Sequence, residues 1–486
     1  MHSVFPESLP ENQGVSSSAI WTMLDELEQQ ELEVTSMMLV VNGYCILNYC
    51  RKPYKPACRQ LWFSTTKAFT GIGVGIACDL GLFSLDDFVI SFFPDKLPET
   101  ISENLSKMRV RHLLSMTSGI HENTYAQLFP QEDWVKAFLA QEFSHEPGTY
   151  YRYSTHASHM LAAIVEKTSG LSFFDFVKAN LVIPLGATDM TWEVCKQGIT
   201  CGGMGLGLTP EAVVRFGYML LNRGIYKGKR IVSEKYLSMA LTEQSDNRKL
   251  ETKRHKNGYG FHMCIDHDGS FYHEGSFGQL CYVSPNKSAV LVVSSRKNNW
   301  DDVIDLFDSL FTSDIKFNKP IRFCDLQNRL ESISYSLPAQ RAIPFDAPII
   351  NGHTYIFDDN ELNLCKVHFK QDDCHCLLVV LAYTDRQASN LLFDFTKPSQ
   401  GSDYFIKDVQ IHLQEYVSFA SWQDANTLLL TVYYIETPYE VTYLICLDKD
   451  SINLNYHINV TFGVKTCTIK GSLFPSNQRE SKSLLA

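Results

Sequence analysis

The chain has 486 residues, 45% apolar and 20% charged, enough to bury a sizeable core in two or three domains and too apolar for a disordered chain. Its formal charge of −11 disfavours nonspecific nucleic-acid binding, which needs a basic surface. No run reaches the roughly 20 apolar residues of a membrane span, the start Met1-His2-Ser3-Val4-Phe5-Pro6-Glu7 lacks the basic and apolar regions of a secretory signal, and the 14 cysteines follow no regular pattern, so the expectation is a cytoplasmic protein with mostly buried free thiols.

Residues 18 to 33 place Ile20, Met23, Leu24, Leu27 and Leu32 among Glu and Gln, the spacing of an amphipathic helix. Ser36 to Leu47 reads as strand, Asn42-Gly43 turn, strand. Ser64-Thr65-Thr66-Lys67 then opens a long apolar segment, Ala68 through Leu82. On one helix face, residues three apart are neighbours, so the hydroxyl and the amine meet. A desolvated lysine loses its proton more readily and can activate the serine as a nucleophile. The same string recurs at Ser284/Lys287, Ser294/Lys297 and Ser313/Lys316, in a turn, at a strand end and beside a helix end. Only the first is followed by a segment able to bury itself.

From Asp86 to Gly148 helical and loop signals mix, with Val110 to Gly119 reading as a helix ending at a glycine. Residues 154 to 169 and 172 to 180 read as helices. Gly202 to Leu208 is a glycine-rich tight turn with no P-loop lysine after it. It leads into a helix with Thr209 as N-cap and Pro210 at the first position. Strands are expected over 259–264, 270–273, 279–283 and 289–293, and a closing helix over Asp302 to Leu310. Such an order suits an antiparallel sheet flanked by the terminal helices, with a helical insert.

Residues 316–350 read as a linker with a short helix, Leu326 to Ile333, and prolines at 338, 344 and 348. Residues 351–474 are strand after strand, an all-β accessory domain forming a small barrel or sandwich. Residues 475–486 read as a polar tail. Cys374-His375-Cys376 has the wrong spacing for a zinc knuckle, so no metal and no cofactor are expected.

Two further strings carry chemistry. Tyr153-Ser154-Thr155 offers a tyrosine that a neighbouring lysine could make acidic enough to act as a base. His273-Glu274-Gly275-Ser276 ends a strand, where a glycine lets a backbone N–H approach a substrate. Alone, each also reads as a packed tyrosine or a solvated strand end.

In the order Ser64/Lys67, Tyr153-Ser154-Thr155, His273-Glu274-Gly275, these strings resemble the three motifs of the class C β-lactamase and penicillin-binding-protein-like serine hydrolases. Arg111 to Gly119 resembles that family's "hLLshtSGl" segment, Glu146-Pro147-Gly148-Thr149 its "pPGt", and Phe216 to Gly224 its "dmarfgqlLLngG". The resemblance covers about residues 18 to 315, and 1–315 is taken as the hydrolase domain. It implies an α+β fold of the β-lactamase/transpeptidase type. It also implies Ser64 as nucleophile, Lys67 and Tyr153 sharing proton transfer, and the N–H groups of Ser64 and Ser276 as oxyanion hole. His273, Gly275 and Thr155 would line the substrate cleft.

The chain departs from the family pattern twice. His273 stands where a lysine is usual, a weaker fixed cation at neutral pH. Thr155 stands where an asparagine is usual, losing an amide donor and acceptor. Both departures point away from efficient β-lactam hydrolysis and towards an esterase, or a D-aminopeptidase or carboxypeptidase of small D-residue peptides. The alternatives are a catalytically degenerate binding protein and a weak β-lactamase.

Overall fold

The computed structural model describes residues 4–250, 253–312, 320–335, 344, 347–372 and 375–475. They divide into two compact units, one of Met1–Arg51 and Pro56–Ile333, the other of Lys52–Lys55 and Ser334–Ala486.

In the first unit, Ser16 caps helix α1 (Ser17–Gln29) by accepting from the Ala19 N–H. Strands β1 (Val34–Val41) and β2 (Tyr44–Cys50) form the expected hairpin. Asn42 and Gly43 both have positive φ at its turn, 51° and 81°, as a tight hairpin requires. Helix α2 (Thr66–Asp79) is buried over nearly its whole length. Helix α3 (Val110–Leu114) is shorter than the expected 110–119: the chain turns at Met116 and Gly119, both at positive φ. There the Gly119 backbone presses on the His145 carbonyl. Helix α4 (Thr155–Ser169) packs on α2, and helix α5 (Pro210–Leu221) carries the expected Thr209 cap.

The sheet is completed by β3 (Cys264–Ile265), β4 (Phe271–Gly275), β5 (Gln279–Ser284) and β6 (Ala289–Ser295). All its pairings are antiparallel, in the order β2-β1-β6-β5-β4-β3. The strand expected over 259–264 is reduced to β3, because Tyr259 makes only isolated bridges, to Ser245 and Cys264. Cys281 and Val283 face α5 at Gly217, while Tyr282 between them turns to Phe307 of helix α6 (Trp300–Ser309). Helices therefore cover both faces, which explains why β1, β5 and β6 are buried along their length. Helix α7 (Phe323–Ser332) belongs to this unit, with Leu326 buried and Arg329 held 2.7 Å from Asp25 of α1.

The second unit is a ten-stranded antiparallel sheet running from β7 (Thr354–Phe357) to β16 (Thr466–Leu473). It curls almost into a barrel. The edge strand Ser389–Asp394 meets Ile411–Trp422, the strand next to the opposite edge, through side chains: Tyr416 Oη accepts from the Leu392 N–H at 2.9 Å and Ser418 Oγ donates to the Leu392 carbonyl. Just beyond the ends of two of its strands, Lys407 and Glu436 form a buried ion pair at 2.7 Å.

Parts of the expected linker, 316–319, 336–343 with Pro338, and 345–346, lie outside the described residues, as do the tail beyond Pro475, Cys374 and the Ser313/Lys316 pair. Among the described residues every cysteine is a free thiol, no group of side chains could hold a metal ion, and no helix is long and apolar enough to cross a membrane.

Candidate active site

Ser64 lies in a single 3-10 turn, Phe63–Thr65, immediately before α2. It is partly exposed, while Trp62, Phe63, Thr65, Thr66 and Lys67 around it are buried. Phe63 is held at φ 41°, a strained conformation for an aromatic residue. Phe277, at φ 64°, meets it edge to face with ring centroids 5.2 Å apart. Strain stored at both ends of one contact fixes the serine's backbone.

Lys67, in the first turn of α2, is fully buried. Its Nζ donates to Ser64 Oγ at 3.0 Å and to the Gly203 carbonyl at 2.7 Å. The two other Ser-x-x-Lys pairs among the described residues do not build such a site. Ser284 is bonded to Ser270, and Ser294 to Thr35 and Ser36.

The glycine-rich turn was expected to be only a turn; it is the partner that orients the lysine. Thr66 accepts from the Leu206 N–H, and Thr70 donates to the Gly202 carbonyl. One face of α2 is thus zipped to the loop at residues 66, 67 and 70. Gly203 also lies against the start of α4: a Cβ there would stand 2.6 Å from Thr155 Cγ2 and 2.8 Å from the Thr155 carbonyl. Only glycine fits between α2 and α4 at that point. Thr155 presents its methyl to this contact, and Ser154 caps α4 by accepting from the Ala157 N–H.

Tyr153 directly precedes that cap, with Lys67 Nζ 4.8 Å from its ring centroid. Its hydroxyl is close enough to the Ser64 side chain to be influenced by it, yet makes no hydrogen bond of ordinary geometry. Burial pushes this phenol well above its usual pKa, the Glu274 carboxylate pushes further, and only Ser64 opposes. Tyr153 therefore rests as a neutral phenol, because desolvation and the Glu274 charge outweigh the influence of Ser64.

β4 brings the third string to the same place. A Cβ on Gly275 would lie 2.6 Å from the Trp62 carbonyl and 3.2 Å from the Thr65 nitrogen, so the strand end rests directly on the serine turn. Ser276 follows, part-buried, beside that turn. His273 is 2% exposed. Burial first, then the charge of Lys67 and of His262, holds its imidazole well below the usual range, so it is neutral. Its Nδ1 is 2.9 Å from the Glu274 carbonyl.

Glu274 is the residue that sequence reading passed over as a solvated strand end. Its side chain is 23% exposed. Burial lifts its pKa to about 7, Lys67 pulling it down and Asp301 adding to the rise. No local signal separates it from an ordinary surface glutamate; alternation along β4 says only that it faces away from His273.

The profile of the family described as Beta-lactamase matches residues 24–310. The 6-aminohexanoate-dimer hydrolase of Paenarthrobacter ureafaciens is 25% identical over 315 residues, 59% of this chain and 79% of that one. Among solved structures, the putative 6-aminohexanoate-dimer hydrolase of Bacillus anthracis superposes with a TM-score of 0.52 at 19% identity, covering 68% of this chain and 88% of that one. The octameric penicillin-binding protein homologue of Pyrococcus abyssi covers 93% of this chain and 99% of its own, with a TM-score of 0.50 at 15% identity. The fold, the motif order and a match over more than half its length agree: the chain belongs to the Beta-lactamase family.

Proposed function

We propose that the protein is a serine hydrolase that cleaves a small ester, or the amide of a small D-residue peptide, through an acyl-enzyme on Ser64. The observation that carries this reading is the fully buried Lys67 Nζ, 3.0 Å from Ser64 Oγ and tethered to the Gly203 carbonyl at 2.7 Å. Once it has lost its proton, an amine so tethered donates one N–H to the carbonyl and turns its lone pair to the serine hydroxyl.

In the proposed cycle Ser64 Oγ attacks the substrate carbonyl as its proton passes to Lys67. The N–H groups of Ser64 and Ser276 receive the oxyanion, donors worth roughly 10²–10³ in rate each. Tyr153, a neutral phenol, gives its proton to the leaving oxygen or nitrogen and regains one from Lys67. Water then attacks the acyl-enzyme with the same groups in reverse. A neutral His273 and a Thr155 whose methyl is committed to Gly203 offer little to a substrate carboxylate or side-chain amide. Both features favour an esterase or peptidase over a β-lactamase.

The test pairs the protein with Ser64→Ala on a short-chain nitrophenyl ester, a chromogenic cephalosporin and a D-alanyl p-nitroanilide. Turnover of the ester or anilide that is lost in the variant supports the reading. No turnover, together with no fluorophosphonate adduct on Ser64, refutes it. Fast cephalosporin hydrolysis refutes the substrate preference alone.

A further inference from the structure

Glu274 stands out from the rest of the site. Every other titratable side chain drawn into it either takes part in the proposed proton transfers or is held neutral by burial. Glu274 is partly exposed and has no hydrogen-bond partner for its carboxylate among the described residues. His255 Nε2 lies 3.9 Å from Oε1, beyond hydrogen-bonding distance, and burial holds that imidazole below its usual range, disfavouring its charge. Lys67 is the cation whose charge bears on the carboxylate, and it is committed to Ser64 and Gly203.

Two features make the carboxylate available to a substrate. Strand β3 pairs only with Phe271 and Tyr272 of β4, so the outer edge of His273–Gly275 carries no strand partner among the described residues. The next residue, Gly275, touches the backbone of the Ser64 turn. A group bound at Glu274 is thereby one residue from the strand end that abuts the nucleophile. Tyr153 feels Glu274 more than any other charged group. Asp301, whose carboxylate is 3.6 Å from Arg254 Nε, adds further negative potential.

Resting on the serine hydrolase reading above, we propose that Glu274 is the specificity group of this site and selects substrates carrying a positively charged ammonium close to the scissile carbonyl. A substrate cation would find a carboxylate at the open strand edge. A substrate anion would meet the Glu274 carboxylate while Lys67 is already committed to Ser64 and Gly203, a repulsion that discriminates as strongly as the attraction.

The experiment compares kcat/KM on three nitrophenyl esters of matched length: the 4-(trimethylammonio)butyrate, its carbon isostere 5,5-dimethylhexanoate, and the hemiglutarate. The quaternary nitrogen cannot attack its own ester. We expect the cationic ester to be preferred over the isostere by at least about tenfold, and the hemiglutarate to be the poorest. In Glu274→Gln the cationic-to-isostere ratio falls towards one, whatever happens to the isostere itself. In Glu274→Lys the order of cationic and anionic esters inverts. A Glu274→Gln ratio within about twofold of the parent, or a parent that prefers the hemiglutarate, overturns the proposal. Should no ester be turned over and no fluorophosphonate adduct form, the hydrolase reading fails on its own. Calorimetric titration with n-butylammonium then decides for Glu274: binding weakened by Glu274→Gln supports it, and equal or absent binding overturns it.

Discussion

Lowering the pH from 7 to about 5 should destabilise the first unit through its buried histidines. His156, His159, His262 and His273 are each at most 2% exposed. Burial lowers the pKa of all of them, to about 4 for His156 and about 3 for His159 and His262. A base whose folded pKa is depressed contributes stability above its unfolded value near 6.5, and that stability is lost as pH falls towards the folded value. At pH 5 the unfolded chain gains roughly 2 kcal/mol from protonating each ring, about 8 for the set. Glu274 acts oppositely. Its folded pKa is raised to about 7, so protonation on acidification returns about 2 kcal/mol. The remaining ~6 kcal/mol is comparable with the whole stability of a domain, about 5–15 kcal/mol. At about 2 °C per kcal/mol, and halving for relaxation around the charged rings, the melting midpoint should fall by about 6 °C or more. Differential scanning calorimetry from pH 7 to 5 measures it, and His159→Leu should flatten the dependence by about one proton. A midpoint that moves less than about 2 °C would show that these rings are already charged or hydrated in the fold, and would refute the reasoning.

Lys67→Met should lower ester kcat by about 10³ or more with the fold intact, since the serine loses its base; activity within tenfold of the parent would assign proton transfer elsewhere. Gly203→Ala forces a Cβ to within 2.8 Å of Thr155 and should displace the carbonyl that tethers Lys67; the expected outcome is a fall in kcat larger than that in thermal stability, and a parallel fall in both would reduce Gly203 to a packing residue. Lys407→Met leaves Glu436 charged and buried, 5% exposed, which should cost about 3–5 kcal/mol. The calorimetric transition assigned to the β unit should shift down accordingly, and an unchanged transition would mean that water reaches the pair.

The parts of this molecule legible in the sequence are those whose causes are local. Asn42-Gly43 specifies its turn because few other residues adopt positive φ at both positions. Thr209-Pro210 specifies a helix start because its hydroxyl and its missing N–H act within one turn. Ser64 and Lys67 meet because helical spacing brings them together. The first misreadings were equally local in origin: Val110 to Gly119 has helical spacing, but Gly119 is pressed against a carbonyl from residue 145, and the helix gives way at Leu114.

What the sequence could not convey are states set by neighbours distant along the chain. The proton on Tyr153 is one. Proximity to Lys67 argues for a lowered pKa, but complete burial and a carboxylate from β4 reverse the sign. Gly203 is another: its role comes from a close fit between Thr155 and Lys67, and a glycine-rich run reads the same whether or not anything presses on it. His273 and Glu274 show the principle within two adjacent residues. Read in one dimension they are a base and an acid at a solvated strand end. In the fold one is shut in beside Lys67 and discharged, and the other, its pKa lifted to about 7, stands beside an unpaired edge. If substrate choice resides in that difference, motif residues alone do not determine it; it depends on which of two neighbouring side chains the sheet edge leaves open.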